Sequence, residues 1–422
     1  MKWEHITFVT STIFVLLREF VIYSATGNQL GMVKNIAESL MEKNPFFVKA
    51  FQALSADSKL FNTDSIEYLT KYTDSVSFDD EEIDHQAIST LQDRGLVFQE
   101  NEISGEPDVR HSGMVSLVYR GRLADDTDVA VKVRRLGIHD KLLEALDQFG
   151  SLMYVLSFFP FLKNLNLVPM FEENKQDLID QLDYDKEVVN LNDLYNANQY
   201  VSYVVVPRAF LQVTKGISDR VIVMEYLEGK TLQELDRDEK KEYRECLAKF
   251  DMKCLLFDGL FHADFHQGNM LFMGESGNRK VGIIDLGVLG RLTLEEQNNF
   301  YLFFSSFLQK DYETAADAVL RNLAEPPETV AIIIEEEDHP VKALLADLLE
   351  SIGENTHECG ISEINSMSGL LSEHGVHVSK TFSKIQLSLA IAEGVQMSLG
   401  EDVPFLISIE NACKELFPTD LV

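Results

Sequence analysis

The chain has 422 residues, more than one hydrophobic core normally serves, so we expect two or three structural units. Apolar residues make up 45% and charged residues 25% of the chain, which argues against disorder over most of its length. The net charge of −32 repels nucleic-acid phosphate and argues against a general DNA- or RNA-binding role.

The first 27 residues are rich in apolar side chains, but Arg18 and Glu19 interrupt them. The uncharged run is too short to span a bilayer comfortably, and no small-residue cleavage site follows it. We therefore expect an amphipathic helix that either docks on the protein or lies on a membrane. The cysteines form no C-x-x-C pair, which favours reduced thiols in an intracellular protein, either cytoplasmic or peripherally membrane-associated.

Periodicity predicts the remaining elements in chain order. Apolar residues at three- and four-residue spacing predict helices over 32–44 and 63–76, before an acidic boundary at 78–86. Alternating, β-branched residues predict a hairpin over 113–123 and 127–135. Helical pattern then covers 139–159 and 175–195, and strands are expected at 203–210 and 220–227. After 231 the pattern is mostly helical, with short strands at 270–273 and 280–287.

A small sheet-containing lobe thus precedes a larger helical one, which is the order of elements in protein-kinase-like folds. We predict an α+β, protein-kinase-like bilobal fold with an N-terminal helical extension. The expected boundaries are 1–94 for the extension, 95–230 for a kinase-like N-lobe, and 231–422 for a helical C-lobe that carries the catalytic and metal-binding loops.

Two short stretches carry the chemistry, "FHADFHQGNM" at 261–270 and "VGIIDLGVLG" at 281–290. H-x-D-x-x-x-x-N followed by D-x-G is the pattern of a phosphoryl-transfer site. Such a site needs positioned charges more than covalent chemistry. Asp264 would orient the attacking hydroxyl or water, while Asn269 and Asp285 would bind magnesium through oxygen ligands. His262 would brace the loop, and Gly287 would let the chain turn away.

The same chemistry requires a cation on the phosphates of ATP. Lys132 lies in the predicted strand "VAVKVRR", where Val131 and Val133 face one side and the lysine faces the other. Glu187, on the predicted helix that follows, could hold this lysine. An exposed strand lysine and a surface helix glutamate are the ordinary alternatives for these two residues.

The nucleotide contacts are expected in two further places. Met224, Glu225 and Leu227 follow a buried-looking strand, where a hinge would bond adenine through the backbone. Ser112 and Gly113, in "RHSGMVSLVYRG", occupy the position of a phosphate-covering loop but lack G-x-G-x-x-G. The chain also lacks a clear Ala-Pro-Glu after Asp285, which argues against a conventional protein kinase.

Taken together, these motifs resemble the UbiB/AarF family of atypical kinases over roughly residues 30–310. The matching stretches are "VAVKVRRLGI", "QLDYDKEVVN", "HADFHQGN" and "DLGVLGRL". The resemblance implies binding of ATP and Mg²⁺, kinase or ATPase activity, and support of coenzyme Q or other isoprenoid-lipid metabolism, often at a membrane. A lipid or quinone precursor is therefore a candidate partner.

The family also carries a K-x-G-Q helix that folds over the active site, and Lys49 and Gln52 match it. Phe51 replaces its glycine, and Gln181 replaces a family carboxylate while Asp183 remains. These departures keep a second hypothesis open, a nucleotide-binding pseudokinase scaffold with negligible turnover. The phosphoryl acceptor stays undetermined between water, a lipid, a small molecule and a protein.

Overall fold

A computed structural model describes residues 3–44, 46–47, 68, 76–158, 167–263, 265–336, 340–356, 366–400 and 403–416. The chain divides into two compact units. One comprises Met1–Asn192 with Arg208–Tyr226, and the other comprises Asp193–Pro207 with Leu227–Val422.

Helices make up most of the described chain. In chain order they are α1 Trp3–Thr26, α2 Gln29–Met41, α3 His85–Asp93, α4 Ile138–Leu156, α5 Leu167–Asp180, α6 Tyr184–Asn198, α7 Leu211–Thr214, α8 Arg237–Lys253, α9 Leu294–Leu308, α10 Tyr312–Ala318, α11 Pro327–Glu335, α12 Pro340–Glu354, α13 Ser366–Glu373, α14 Lys380–Ser398 and α15 Phe405–Leu416. The strands are β1 Val97–Phe98, β2 Val109–Ser112, β3 Ser116–Arg122, β4 Asp128–Arg134, β5 Val204–Val205, β6 Val221–Glu225, β7 Leu260–His262, β8 Met270–Met273, β9 Lys280–Ile283, β10 Leu289–Arg291, β11 Ala324–Glu325 and β12 His377–Val378. The predicted α+β class is confirmed.

An antiparallel sheet forms the centre of the first unit. Its order is β1-β3-β4-β6, and β2 also pairs with β3. The predicted hairpin is present as β3 and β4, in which Val118 lies opposite Lys132. Helix α3 and the buried face of the sheet share one apolar core, which includes Leu91, Leu117 and Val131.

A second apolar cluster of this unit, which we call the helical layer, is built mainly from α1, α2, α4 and α5. Phe8 of α1 stacks on Phe47 with 4.3 Å between ring centroids, and Phe47 lies 6.1 Å from Phe149 of α4. Met114 and Val76, which belong to none of these helices, are buried in the same cluster.

Helix α1 has one buried and one exposed face. His5, Phe8, Val9 and Thr12 are among its buried residues. By length and composition it is the one helix, within the described ranges, that could cross a membrane, although only 22% of its most apolar window is buried in the protein.

The second unit contains three small sheets besides its helices, and the smallest elements, β11 and β12, form one of them. Strands β8 and β9 form the predicted antiparallel pair, β5 joins β9 in parallel, and β7 pairs with β10. Phe300 and Phe303 of α9 pack against Phe382 of α14. A hydrogen bond from Ser388 of α14 to the His262 carbonyl places α14 next to β7, which precedes the predicted catalytic loop.

Two predicted elements differ from the structure. The helical stretch 175–195 breaks between α5 and α6, because the Asp183 side chain accepts a hydrogen bond from the Lys186 amide (3.0 Å) and caps the start of α6. The strand predicted at 203–210 shrinks to Val204–Val205, since Pro207 has no N–H to donate to a ladder.

Candidate functional site

Lys132 and Glu187 form a buried ion pair in the first unit. Lys132 lies on β4 and is 7% exposed, and Glu187 lies on α6 and is 4% exposed. The Lys132 Nζ and Glu187 Oε1 atoms are 2.7 Å apart. Both charges are removed from water, which costs several kcal/mol per ion unless geometry and hydrogen bonds compensate. The structure therefore brings the predicted lysine and its predicted partner into contact.

The turn that would cover the phosphates, which we call the 112–115 turn, joins β2 to β3. Gly113 N donates to Ser116 O over 2.9 Å, and the Ser112 hydroxyl donates to Val76 O over 2.5 Å. A Cβ added at Gly113 would lie 3.6 Å from its nearest neighbour, which is ordinary contact. Packing therefore does not require glycine at this position.

The predicted hinge residues lie at the end of β6 and just after it. Met224 and Glu225 pair with Ala130 and Val129 of β4. The Glu225 amide already donates to Arg208 O (3.0 Å), so adenine would have to use other backbone groups there. Leu227 belongs to the second unit, where its Cδ1 would lie 3.0 Å from a Cβ added at Gly282.

The loop after β7 is braced through its histidine. His262 is 5% exposed, and its Nε2 lies 2.7 Å from Asp285 O. A carbonyl oxygen can only accept, so Nε2 carries the proton and donates. The His262 carbonyl in turn accepts from the Ser388 hydroxyl of α14 over 2.9 Å. This geometry agrees with the bracing role predicted for His262.

The two predicted metal-binding side chains start from neighbouring backbone positions. Asn269 precedes β8, Asp285 follows β9 by two residues, and Ile284 N donates to Asn269 O over 3.0 Å. The Asp285 carboxylate accepts from Gly287 N at 3.0 Å, so the turn after Asp285 fixes this side chain. His266 accepts from Gly268 N through Nδ1 and supports the same loop.

The donor set fits magnesium. An amide oxygen and a carboxylate are hard ligands of the type that Mg²⁺ prefers, and Mg²⁺ keeps several waters and takes phosphate oxygens for its remaining positions. Within the part of the chain that the structure describes, no group of three or more His, Cys, Asp or Glu side chains could hold a metal. Asp264, Lys49, Gln52 and Phe51 lie outside the described residues.

Burial shifts several pKa values near this loop. Removal from water raises the pKa of Asp251 of α8 and the pKa of Cys254 well above their ordinary values. Burial also raises the pKa of Asp258, although Lys253 donates to its carboxylate over 2.6 Å. These groups lie in and just after α8, before β7.

Sequence reasoning missed two residues that hold the site. Ser388 supports the His262 carbonyl from a helix more than 100 positions away, and only its polar side chain within the otherwise apolar run 387–392 could have drawn attention to it. Arg135 donates to Gly113 O over 2.9 Å, and the sequence pattern around it points only to Lys132, three residues earlier.

Comparisons with known proteins give the following matches. A model of the ABC1 atypical kinase-like domain matches residues 112–319. An uncharacterized protein of Synechocystis is 27% identical over 282 residues, which are 61% of this chain and 65% of that protein. A probable protein kinase UbiB of Marinobacter nauticus is 26% identical over an alignment that includes 69% of this chain and 54% of that protein.

A chloroplastic protein of Arabidopsis thaliana named Activity of bc1 complex kinase 1 is 24% identical, over 88% of this chain and 54% of its own length. The chain thus spans between about half and two thirds of the length of these relatives. A solved Mycobacterium tuberculosis structure, in complex with erythromycin, aligns with a TM-score of 0.49 at 15% identity over 90% of each chain.

Proposed function

Because the chain carries an ABC1 atypical kinase-like domain, we propose that it is an ATP- and Mg²⁺-dependent atypical kinase or ATPase of the UbiB type. The observation that carries the proposal is the buried Lys132–Glu187 ion pair. A buried ion pair contributes little to stability compared with apolar residues of the same size, so a charged pair here favours a functional reason. Phosphoryl transfer supplies one, since it needs a cation held in place on the phosphates.

Each polar residue then has a role. Lys132, held by Glu187, neutralises the phosphates, and Asn269 and Asp285 hold Mg²⁺, which would stabilise the charge that develops on the transferred group. Asp264 orients the attacking hydroxyl or water. His262 keeps the Asp285 backbone in place through its 2.7 Å hydrogen bond.

The nucleotide itself would be bound by three groups of residues. The backbone at Met224, Glu225 and Leu227 receives adenine, and the 112–115 turn, with Ser112 and Gly113, lies over the phosphates. Lys49 and Gln52 complete the site in the manner that the family resemblance implies.

Magnesium-dependent ATP turnover tests the proposal. Asp285→Asn is expected to lower turnover at least about 100-fold, because it removes a charged metal ligand. Asp140→Asn is the matched control, since the Asp140 side chain is 95% exposed in the first turn of α4. The proposal fails if the wild-type protein binds no nucleotide, or if Asp285→Asn turns over ATP as fast as Asp140→Asn.

A pseudokinase scaffold is the second candidate, and the Ser112 hydroxyl favours it. That hydroxyl is already committed to Val76 O, and Gln181 stands where the family has a carboxylate. A scaffold would be thermally stabilised by ATP without releasing ADP, even in the presence of lipid or a quinone-like phenol. Sustained ADP release by wild-type protein, lost in Asp285→Asn, would eliminate this candidate.

We further propose that the protein supports the metabolism of coenzyme Q or another isoprenoid lipid, at a membrane surface. The exposed face of α1 supports lipid contact, since it presents Trp3 (79% exposed), Phe14 (68%) and Phe20 (60%). Such a protein would be intracellular and peripherally membrane-associated. ATP turnover measured with and without liposomes and a quinone-like phenol tests this link, and turnover unaffected by either would remove it.

A further inference from the structure

The 112–115 turn is anchored in the helical layer by an apolar side chain. Met114 lies at the tip of the turn and is only 6% exposed. It is buried in the cluster that also contains Phe8, Phe47 and Phe149. A loop that merely covered phosphates would not need an apolar side chain inserted into a separate cluster.

A backbone connection reinforces this anchor. Val76 is 3% exposed and belongs to the same cluster as Met114. The Val76 amide donates to Ser112 O over 2.9 Å, and the Ser112 hydroxyl donates back to Val76 O over 2.5 Å. Residue 112 is therefore held on both its carbonyl and its side chain by a residue of the layer.

Arg135 provides the third connection. It is 5% exposed, and its guanidinium donates to Gly113 O (2.9 Å), to Ser77 O (2.7 Å) and to the buried carboxylate of Glu82. Its own amide donates to Val115 O over 2.9 Å. The planar fork of an arginine can satisfy several fixed acceptors at once, whereas the ammonium group of a lysine is a single point of donation.

We propose that the helical layer sets the nucleotide affinity of this protein by holding the 112–115 turn, with Arg135 as the positioning residue. The inference rests on the proposed ATP site and names how that site is controlled. A free four-residue loop would lose conformational freedom when it closes on phosphates, and this turn has lost that freedom before nucleotide arrives. Changes at Met114 or at Arg135 that loosen the turn therefore weaken nucleotide binding.

The first test compares two methionines of the same cluster. Met114→Ala and Met153→Ala both remove a buried methionine, since Met153 of α4 is 3% exposed. Both variants should lose comparable stability. Only Met114→Ala should raise the Kd for Mg-ATP, by roughly tenfold, because only Met114 belongs to the turn. An equal change of Kd in the two variants would mean that the layer acts through general stability, and the proposal would be wrong.

The second test replaces the planar guanidinium of Arg135 with an ammonium group and keeps the positive charge. Arg135→Lys still pairs with Glu82 but cannot reach all three acceptors, so Kd and KM for ATP should rise roughly tenfold while kcat stays within about twofold. Lys141→Gln is the control, because Lys141 also donates to Glu82 without contacting the turn, and it should leave Kd unchanged.

Hydrogen–deuterium exchange separates this proposal from the proposed function. In Arg135→Lys, the amides of residues 112–116 should exchange faster than in wild type, with or without nucleotide, and the amides of β6 should not. Unchanged exchange at the turn overturns the anchoring. Wild-type protein that binds no ATP would instead overturn the ATP site, while exchange would still decide whether the layer holds the turn.

Discussion

At the scale of single residues, the contributions of Lys132 and Glu187 to the free energy of unfolding depend on each other. Both are buried and lie 2.7 Å apart, so either charge left alone would be buried without compensation. Removing one partner of such a pair typically costs about 3–5 kcal/mol, whereas replacing both with apolar residues is often close to neutral. Lys132→Met and Glu187→Leu should therefore each lower the free energy of unfolding by about 3 kcal/mol, and the double variant should recover most of that loss.

Urea denaturation of the four proteins measures this coupling. ATP turnover should be abolished in the double variant despite its recovered stability, because no cation remains for the phosphates. Additive losses of stability in the double variant would show that the two charges do not depend on each other.

A second residue-scale prediction concerns pH and Glu82. Burial favours the protonated form of its carboxyl, but hydrogen bonds from Arg135 and Lys141 outweigh this and lower the pKa of Glu82 below 4.5. The folded protein then holds this proton less readily than the unfolded chain, so the contribution of Glu82 to stability is fully present above about pH 4.5 and is lost as the pH falls below it.

The free energy of unfolding of wild type and Glu82→Gln, measured from pH 3 to 6, checks the direction of this pH dependence. The stability difference between the two proteins should be largest near pH 6 and should shrink on acidification. Glu295→Gln, at an exposed helix start, serves as control and should differ much less from wild type in stability near pH 6 than Glu82→Gln does. A stability difference between wild type and Glu82→Gln that grows towards pH 3 would contradict the lowered pKa of Glu82.

The same residues show what a sequence can and cannot predict. Lys132 could be found because strand alternation and a recognisable motif both point to it, and Glu187 follows from the motif of the next helix. Arg135 and Glu82 could not, since their meaning depends on a guanidinium reaching Gly113, Ser77 and a carboxylate 53 positions away. Such contacts are properties of the packed chain and leave no local pattern.

At the scale of elements, α14 supports the loop that carries the predicted catalytic aspartate. The Ser388 hydroxyl donates to the His262 carbonyl, and both groups are buried. Ser388→Ala leaves that carbonyl without this donor, which should cost about 1–3 kcal/mol and lower turnover about tenfold by loosening the loop. Ser398→Ala is the matched control in the same helix, because its hydroxyl donates to Gly394 O at an exposed position.

Thermal unfolding and ATP turnover of the two serine variants test this support. Ser398→Ala should resemble wild type in both measurements. Equal turnover in the two variants would show that α14 contributes stability without positioning the loop.

Regular elements were easier to predict than irregular ones. The hairpin of β3 and β4 and the pair of β8 and β9 follow from alternation and β-branching. The π-helical turn Cys254–Asp258, which ends at Gly259 in the left-handed region with φ 63°, carries no period that distinguishes it from the end of α8. Strand β5 was too short for its parallel partner β9 to be inferred, because that pairing joins distant parts of the chain.

At the scale of the whole molecule, the resemblance to UbiB/AarF proteins is confirmed through the ABC1 atypical kinase-like domain, while the lipid link stays a proposal. Two global features oppose each other at a membrane. The net charge of −32 repels anionic headgroups, whereas the exposed aromatic and aliphatic side chains of α1 favour the interfacial region of any bilayer. In the proposed membrane association, the balance between these two features would decide which membranes are bound.

Vesicle flotation should therefore show stronger binding to neutral phosphatidylcholine vesicles than to vesicles that contain phosphatidylserine, and added salt should narrow the difference by screening the repulsion. Replacing Trp3, Phe14 and Phe20 with serine should abolish binding to both, because it removes the apolar surface that α1 exposes. Serine at Val189, Leu294 and Ile332, which are also exposed but lie on other helices, is the matched control and should leave binding unchanged. Binding that survives in the α1 variant, or that increases with phosphatidylserine, would place the lipid contact elsewhere on the molecule and would remove α1 from the proposal.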